Sequence, residues 1–135
     1  MRKDEWDTVV DLLVVGSGAG GMTAAIAGCD LGISTLIVEK AAVYGGNTAL
    51  SGGGIWIPNN PVLAEHGITD PDESVMEYLR SIVGPHGDED RLSAYVHQGP
   101  RVLARLMELS RHMRFIWCRG YSDYHPENPG GRTEG

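Results

Sequence analysis

Cysteine is scarce in this sequence: Cys29 and Cys118 are the only two in 135 residues. They form neither a disulfide framework nor a metal-ligand spacing. Cys29 falls on a run of small residues and is expected to be a packed core thiol. Basic residues are also few, with Lys and Arg at 11 against 18 Asp and Glu, for a net charge of −7. That balance excludes a broad nucleic-acid surface and favours solubility. No apolar run approaches the ~20 residues of a membrane span. The charged start MRKDEWD has no apolar signal core. Together these features make the cytoplasm the expected compartment.

Glycine is abundant, at 19 residues, and most of the excess falls in three places: near residue 16, in the 45–54 loop and in the tail. Such clustering points to backbone that approaches a ligand closely. The stretch Val9 to Glu39 organises the rest. Leu12 to Val15 is continuously apolar and suits a strand buried on both faces. Gly16, Gly18 and Gly21 follow in the spacing G-x-G-x-x-G, then a small-residue helix from about Gly20 to Leu31, ended by Gly32. A second buried strand, Thr35 to Val38, runs into Glu39.

Each piece has a chemical purpose. Gly16 permits the tight turn, Gly18 lets backbone reach a pyrophosphate, and Gly21 lets the helix lie close on the strand. The helix N-terminus offers free N–H groups and the positive end of a dipole. Glu39 comes 18 residues after Gly21, close to the ~20 expected of an acid that binds ribose hydroxyls. A carboxylate there disfavours a 2′-phosphate, and Lys40 softens that only slightly. The alternative is a glycine-rich turn in some other α/β protein. The strand, helix, second strand and acid, all in place, argue against it.

The stretch Gly45 to Gly54 sets Asn47, Thr48 and Ser51 between two glycine turns, so that N–H groups, hydroxyls and an amide converge. A mobile surface loop is the plainer alternative. Ile55, Trp56 and Ile57 follow at once and call for burial. Residues 58–69 read as a connection. Asp70-Pro71-Asp72-Glu73 reads as a helix start, with Asp70 as the cap. Val75, Met76, Leu79, Ile82 and Val83 form one apolar face, stopped by Gly84-Pro85. Asp88 caps a further helix with Leu92, Tyr95 and Val96 inward, broken or kinked at Gly99-Pro100. Val102, Leu106, Leu109 and Met113 continue at helical spacing, and Phe115 to Trp117 suits a short strand. The tail GYSDYHPENPGGRTEG places Tyr121, Asp123, Tyr124 and His125 within five residues, with Pro126, Pro129, Gly130 and Gly131 forbidding regular structure. A solvated loop and a functional loop remain equally open for it.

The fold class is therefore α/β: the βαβ start of a Rossmann-like dinucleotide-binding domain, followed by a helical segment. Two strands leave a sheet edge open and a face uncovered. The chain is accordingly expected to be the N-terminal part of a larger two-domain protein, or a remnant of one. Expected divisions are 1–57 for the nucleotide-binding part, 58–114 for the helical segment and 115–135 for the start of a substrate-side region.

VVGSGAGGMTAAIAG, LIVEK and GGNTALSGGGIWIPNN together resemble the flavoprotein family of fumarate reductases and 3-ketosteroid dehydrogenases. ALSGGGIWIP and the tail YSDYHPENPGGRTEG are most similar to the 3-ketosteroid Δ1-dehydrogenase group. The resemblance implies FAD rather than NAD. It assigns cofactor binding to Gly16, Ser17, Gly18, Ala19, Gly20, Gly21, Glu39, Lys40, Gly46, Asn47, Thr48, Ala49, Leu50, Ser51, Gly52 and Gly53. Some relatives tether the flavin through a histidine in the second loop. None occurs between Lys40 and Gly54, so non-covalent FAD is expected.

The chemistry implied is dehydrogenation of a 3-ketosteroid: a tyrosinate-like base takes a proton from C2, and a hydride leaves C1 for the flavin. It also implies an external electron acceptor. The family's main base lies beyond residue 135. One supporting tyrosine stands just before the tail proline, where this sequence has His125. Tyr121, Tyr124 and His125 are thus the catalytic candidates. Two alternatives accompany this expectation: a fumarate reductase-like flavoprotein acting on another ketone or enone, and an inactive truncated fragment.

Overall fold

A computed structural model describes residues 6–133. It comprises two compact units, Met1–Ile55 and Trp56–Gly135.

The first unit is a βαβ. Strand β1 (Leu12–Val15) pairs in parallel with β2 (Thr35–Val38), Leu12 opposite Thr35 and Val15 opposite Val38. Helix α1 (Ala19–Asp30) crosses between them. Asp11 and Ser34 set the register where the sheet begins. The Asp11 carboxylate accepts from the Ser34 N–H at 2.9 Å and from its hydroxyl at 2.5 Å. The Asp11 N–H in turn donates to Ser34 Oγ at 3.0 Å.

Val14, Ala25 and Gly28 are buried where α1 crosses the strands. A Cβ on Gly28 would stand 2.6 Å from Thr35 Oγ1 and 2.8 Å from Leu12 Cδ2, so a small residue is required there. The other face differs from the expected two-sided burial. Leu13, Val15 and Val38 are exposed, Val15 at 80%, because among the described residues no element covers that face. Cys29 is likewise exposed rather than a core thiol, since it lies on the outer side of α1. The 45–54 stretch contains one short helical turn, α2 (Gly46–Leu50).

The second unit is helical. The connection 58–69 contains a short helix, α3 (Pro61–Glu65), that the sequence reading did not foresee. Asn60 caps it, accepting from Val62 N at 2.9 Å and Leu63 N at 3.1 Å. Helix α4 (Asp72–Val83) begins after Pro71. Asp70 is not its cap: the carboxylate is buried and engaged by Arg132 and by the Asn59 N–H. Gly84 ends α4 and a 3-10 turn, Gly84–His86, follows. Asp88 caps α5 (Glu89–Leu109) by accepting from Arg91 N at 3.1 Å.

Gly99-Pro100 does not divide α5, which runs through it as one helix. Proline there forfeits only one backbone hydrogen bond, and Gly99 makes room for Ile57, whose Cγ2 lies 3.2 Å from where a Cβ would stand. The helix stops at Leu109 instead of continuing to Met113. Phe115–Trp117 has no regular structure, because no strand among the described residues is there to pair with it.

The core of this unit is Val62, Val75, Tyr78, Val96 and Leu103. The buried α5 positions are thus Val96 and Leu103, while Val102 and Leu109 of the expected stripe are exposed. Ile82 and Val83 at the end of α4 are also exposed. Ile55 and Trp56 are more exposed than their composition suggested. Trp56 still makes specific contacts. Its ring stacks parallel to Tyr95 at 6.2 Å and tilts against Tyr78 at 5.6 Å, and its carbonyl accepts from the Tyr95 hydroxyl.

The tail is irregular yet tied down. Asn128 N donates to His125 O at 3.0 Å and Gly131 N to Asn128 O at 2.9 Å. Asn128 Nδ2 reaches Ser81 Oγ on α4 at 3.2 Å.

Candidate functional site

The first glycine loop follows β1 directly. Gly16 has φ +93°, which lets the chain turn sharply while its N–H continues the ladder to Val38 O at 2.8 Å. Gly18 caps α1 with extended backbone and no side-chain acceptor. Ala19, Gly20 and Gly21 form the first helical turn. The Ala19 N–H donates to Thr48 Oγ1 at 3.2 Å. Those of Gly18, Gly20 and Gly21 have no partner among the described residues. The space beside them is open: a Cβ on Gly20 would meet nothing within 4 Å, and one on Gly18 only Thr48 Oγ1 at 3.9 Å. Free donors, an open approach and a helix dipole suit an anion of pyrophosphate size.

Glu39 stands at the end of β2, beside this loop. One carboxylate oxygen accepts from Ser17 N–H at 2.9 Å and from the Ser17 hydroxyl. The other accepts from Ala41 N–H at 2.9 Å and keeps a lone pair for a further donor. The Ala41 N–H, the Ser17 hydroxyl and the Ser17 N–H lower the Glu39 pKa from 4.5 to about 2. Glu39 is therefore ionised at neutral pH and fit to accept from ribose hydroxyls.

Ser17 is only 2% exposed, and its Oγ also accepts from Gly45 N–H at 2.9 Å. One hydroxyl thus joins the first loop, the acid after β2 and the start of the second glycine loop. The sequence reading placed Ser17 among the cofactor contacts and overlooked both this internal role and Gly45. A small hydroxyl between two glycines was the available signal.

The second loop comes to the first at two points, Thr48 on Ala19 N and Gly46 beside Gly18. A Cβ on Gly46 would stand 3.2 Å from Gly18 Cα. Asn47, Ala49 and Leu50 lie exposed on α2. Ser51 bonds locally, donating to Thr48 O at 2.8 Å and accepting from Gly53 N at 3.2 Å. Gly52 and Gly53 extend into open space, and Lys40 is exposed. The structure thus gathers residues 16–21, Glu39 and Gly45–Thr48, and leaves Lys40 and Leu50–Gly53 outside that cluster.

Residues 11–134 match the FAD binding domain family. The chain belongs to that family. Its residues fit the cofactor, with unpartnered N–H groups for the pyrophosphate and an ionised acid for the ribose. The chain is 49% identical over 125 residues to a 3-oxosteroid 1-dehydrogenase of Mycobacterium tuberculosis, covering 93% of this chain and 22% of that protein. The structure of 3-ketosteroid delta1-dehydrogenase from Sterolibacterium denitrificans, in complex with 1,4-androstadiene-3,17-dione, superposes with a TM-score of 0.81 at 38% identity, covering 93% of this chain and 22% of that one. A flavocytochrome c3 fumarate reductase shares the fold, with a TM-score of 0.69 at 24% identity, covering 78% of this chain and 19% of that one. The chain therefore spans about a fifth of the length of the curated relatives it matches. No helix among the described residues is long and apolar enough to cross a membrane.

The tail candidates of this FAD binding domain member lie in the second unit. Tyr121, Tyr124 and His125 are exposed. A hydrogen bond with Tyr124, and then the charge of Tyr124, raise the Tyr121 pKa above the ordinary tyrosine value. His125 Nδ1 lies 3.3 Å from Glu127 Oε1, and His125 N–H donates to the Tyr78 hydroxyl at 3.4 Å.

The Glu39 contacts predict a pH dependence. A carboxylate whose pKa is lowered on folding contributes stability that is complete above its unfolded value and is lost as pH falls through its folded value. The Glu39 contribution should be complete above pH 4.5 and disappear as pH falls to about 2. Ser17→Ala should move the Glu39 titration, followed by carboxyl 13C NMR, up towards 4.5. An unmoved titration would show that the hydroxyl does not hold the acid.

Proposed function

We propose that this chain is the FAD-binding portion of a flavin-dependent dehydrogenase acting on a 3-oxosteroid-like ring ketone, with non-covalent FAD and an external electron acceptor, in the cytoplasm. The observation that carries the proposal is the open cradle of Gly18, Gly20 and Gly21 N–H groups beside an ionised Glu39. Names of relatives at up to 49% identity support the substrate class.

Bound FAD supplies a two-electron acceptor for the hydride removed from the substrate. The chain's residues supply binding and orientation. Gly18, Gly20 and Gly21 hold the pyrophosphate, and Glu39 fixes the adenosine ribose. Thr48 and Gly46 bring the start of the second loop against the first, so that Gly46–Thr48 borders the pyrophosphate cradle. In the tail, Tyr121 stays a neutral phenol at physiological pH and serves as a donor to substrate rather than as the base. His125, whose Nδ1 lies 3.3 Å from Glu127 Oε1, occupies the place of the supporting tyrosine. That departure from tyrosine favours a second reading, in which the substrate is another ketone or enone.

The test is an FAD titration of the 135-residue chain, followed by flavin fluorescence and circular dichroism. Saturable binding with a gain in cooperative structure, but no oxidation of a 3-oxosteroid, is the expected result. A flavoprotein of the relatives' length that carries this segment should oxidise 3-oxosteroids. One that reduced fumarate and ignored 3-oxosteroids would overturn the substrate assignment.

A further inference from the structure

The tail holds a buried acid to which the reading above gives no task. Asp123 stands between Tyr121 and Tyr124 in sequence, and the exposures diverge: Asp123 is 7% exposed and Tyr124 86%. A buried carboxylate needs partners on both oxygens. Trp56 Nε1–H donates to one at 2.7 Å, and the Arg132 backbone N–H donates to the other at 2.8 Å. The Asp123 N–H donates to Arg132 O at 3.0 Å.

The chain of contacts continues inward. The Arg132 guanidinium engages the buried Asp70 carboxylate. Asp70 N–H donates to Asn59 Oδ1 at 2.7 Å, and Asn59 Nδ2 donates to Asp70 O at 2.7 Å. Trp56 comes from the SGGGIWIP run and Arg132 from the PGGR run, so segments far apart in sequence meet on one side chain. Such buried ionic groups add little net stability compared with apolar packing. What this network does is hold an irregular segment in one arrangement while its two phenols face outward.

We infer that Asp123 is a positioning residue, which with Trp56 and Arg132 holds the Tyr121–Tyr124 segment in a single conformation with both phenols presented at the surface. Calling that surface substrate-facing rests on the function proposed above; the positioning itself does not.

The test is Asp123→Asn in the chain labelled with 13Cζ-tyrosine. Asparagine keeps the volume but sets an amide NH2 against one of the two donors. The Tyr121 titration should fall towards the ordinary tyrosine value, with Tyr124→Phe marking the end point of a broken pair. The Trp56 indole N–H should exchange at least about tenfold faster. A Tyr121 titration unchanged in Asp123→Asn overturns the proposal, whatever happens to thermal stability. If Asp123→Asn does not fold, Trp56→Phe removes one donor and keeps the ring against Tyr95. A smaller fall of the Tyr121 titration is then expected, and no fall again overturns the proposal. Failure of the functional reading has a different signature: Tyr121 responds to Asp123→Asn, yet Tyr121→Phe and Tyr124→Phe leave 3-oxosteroid turnover unchanged in a flavoprotein of the relatives' length.

Discussion

Gly21→Ala should abolish FAD binding and the cooperative melting of the βαβ together. A Cβ at Gly21 would fall inside the Gly16 carbonyl oxygen, 3.1 Å from Gly16 C and 3.2 Å from Val14 Cγ1. Two of these three atoms are backbone, so no rotamer change relieves the clash. Helix α1 would have to lift off β1 and expose Val14, or the Gly16 turn would have to open. Opening that turn breaks the 2.8 Å bond from Gly16 N to Val38 O and moves Ser17 away from Glu39. Overpacking of a core typically costs ~1–3 kcal/mol and more where backbone must move. At ~1.4 kcal/mol for each tenfold in affinity, the loss is on the order of 100-fold or greater. The control is Gly20→Ala in the same helical turn, whose Cβ meets nothing within 4 Å. It should melt no lower than the parent, because alanine is worth up to ~1 kcal/mol over glycine in a helix. Thermal circular dichroism of the pair checks this. Equal melting and equal FAD binding of Gly21→Ala and the parent would show that close approach of helix to strand is not what builds the site.

Gly130→Ala should release the tail from the second unit. Gly130 has φ +75°, and its Cβ would fall inside the Ser74 carbonyl oxygen, 3.0 Å from Ser74 C and from Tyr78 N. The left-handed backbone costs a non-glycine residue on the order of 1–3 kcal/mol, and the clash with α4 adds to it. The tail must then leave α4, which removes the bonds from Asn128 to Ser81 and from His125 to Tyr78. Asp123 and Asp70 lose Arg132 as it goes. A lower midpoint is expected, by ~10 °C or more at the ~4–8 °C per kcal/mol of a small domain. Rapid proteolytic cleavage between residues 121 and 133 should accompany it. Gly120→Ala separates the two causes. Gly120 has φ +78° but nothing within 4 Å, so it bears the conformational cost alone and should leave the tail protected. Similar behaviour of the two variants would mean that the tail is not seated on α4.

The first glycine turn and the acid beside it were legible because each of their signals is local. A glycine at a turn, a glycine beneath a helix and an acid after a strand act over a few residues, and each constrains backbone that the same residues form. The apolar run Leu12–Val15 likewise marked β1, although the structure covers only its Val14 side among the described residues. Helix ends at Gly84 and Asp88 were readable for the same local reason. Asp70 misled, because it is buried and its partner Arg132, 62 residues away, outcompetes a helix cap. Phe115–Trp117 misled because a strand needs a neighbour, which propensity does not supply.

By itself, the sequence determined the βαβ, its glycine cradle, the acid beside it and the family to which they belong. These depend on steric freedom and charge at positions close in the chain. Only the tertiary structure decided that Ser17 joins both glycine loops to Glu39, and that Trp56, Asp123, Arg132 and Asp70 form one network. A hydroxyl or a carboxylate can bond any donor the fold brings within about 3 Å, and that choice is made by packing between distant segments.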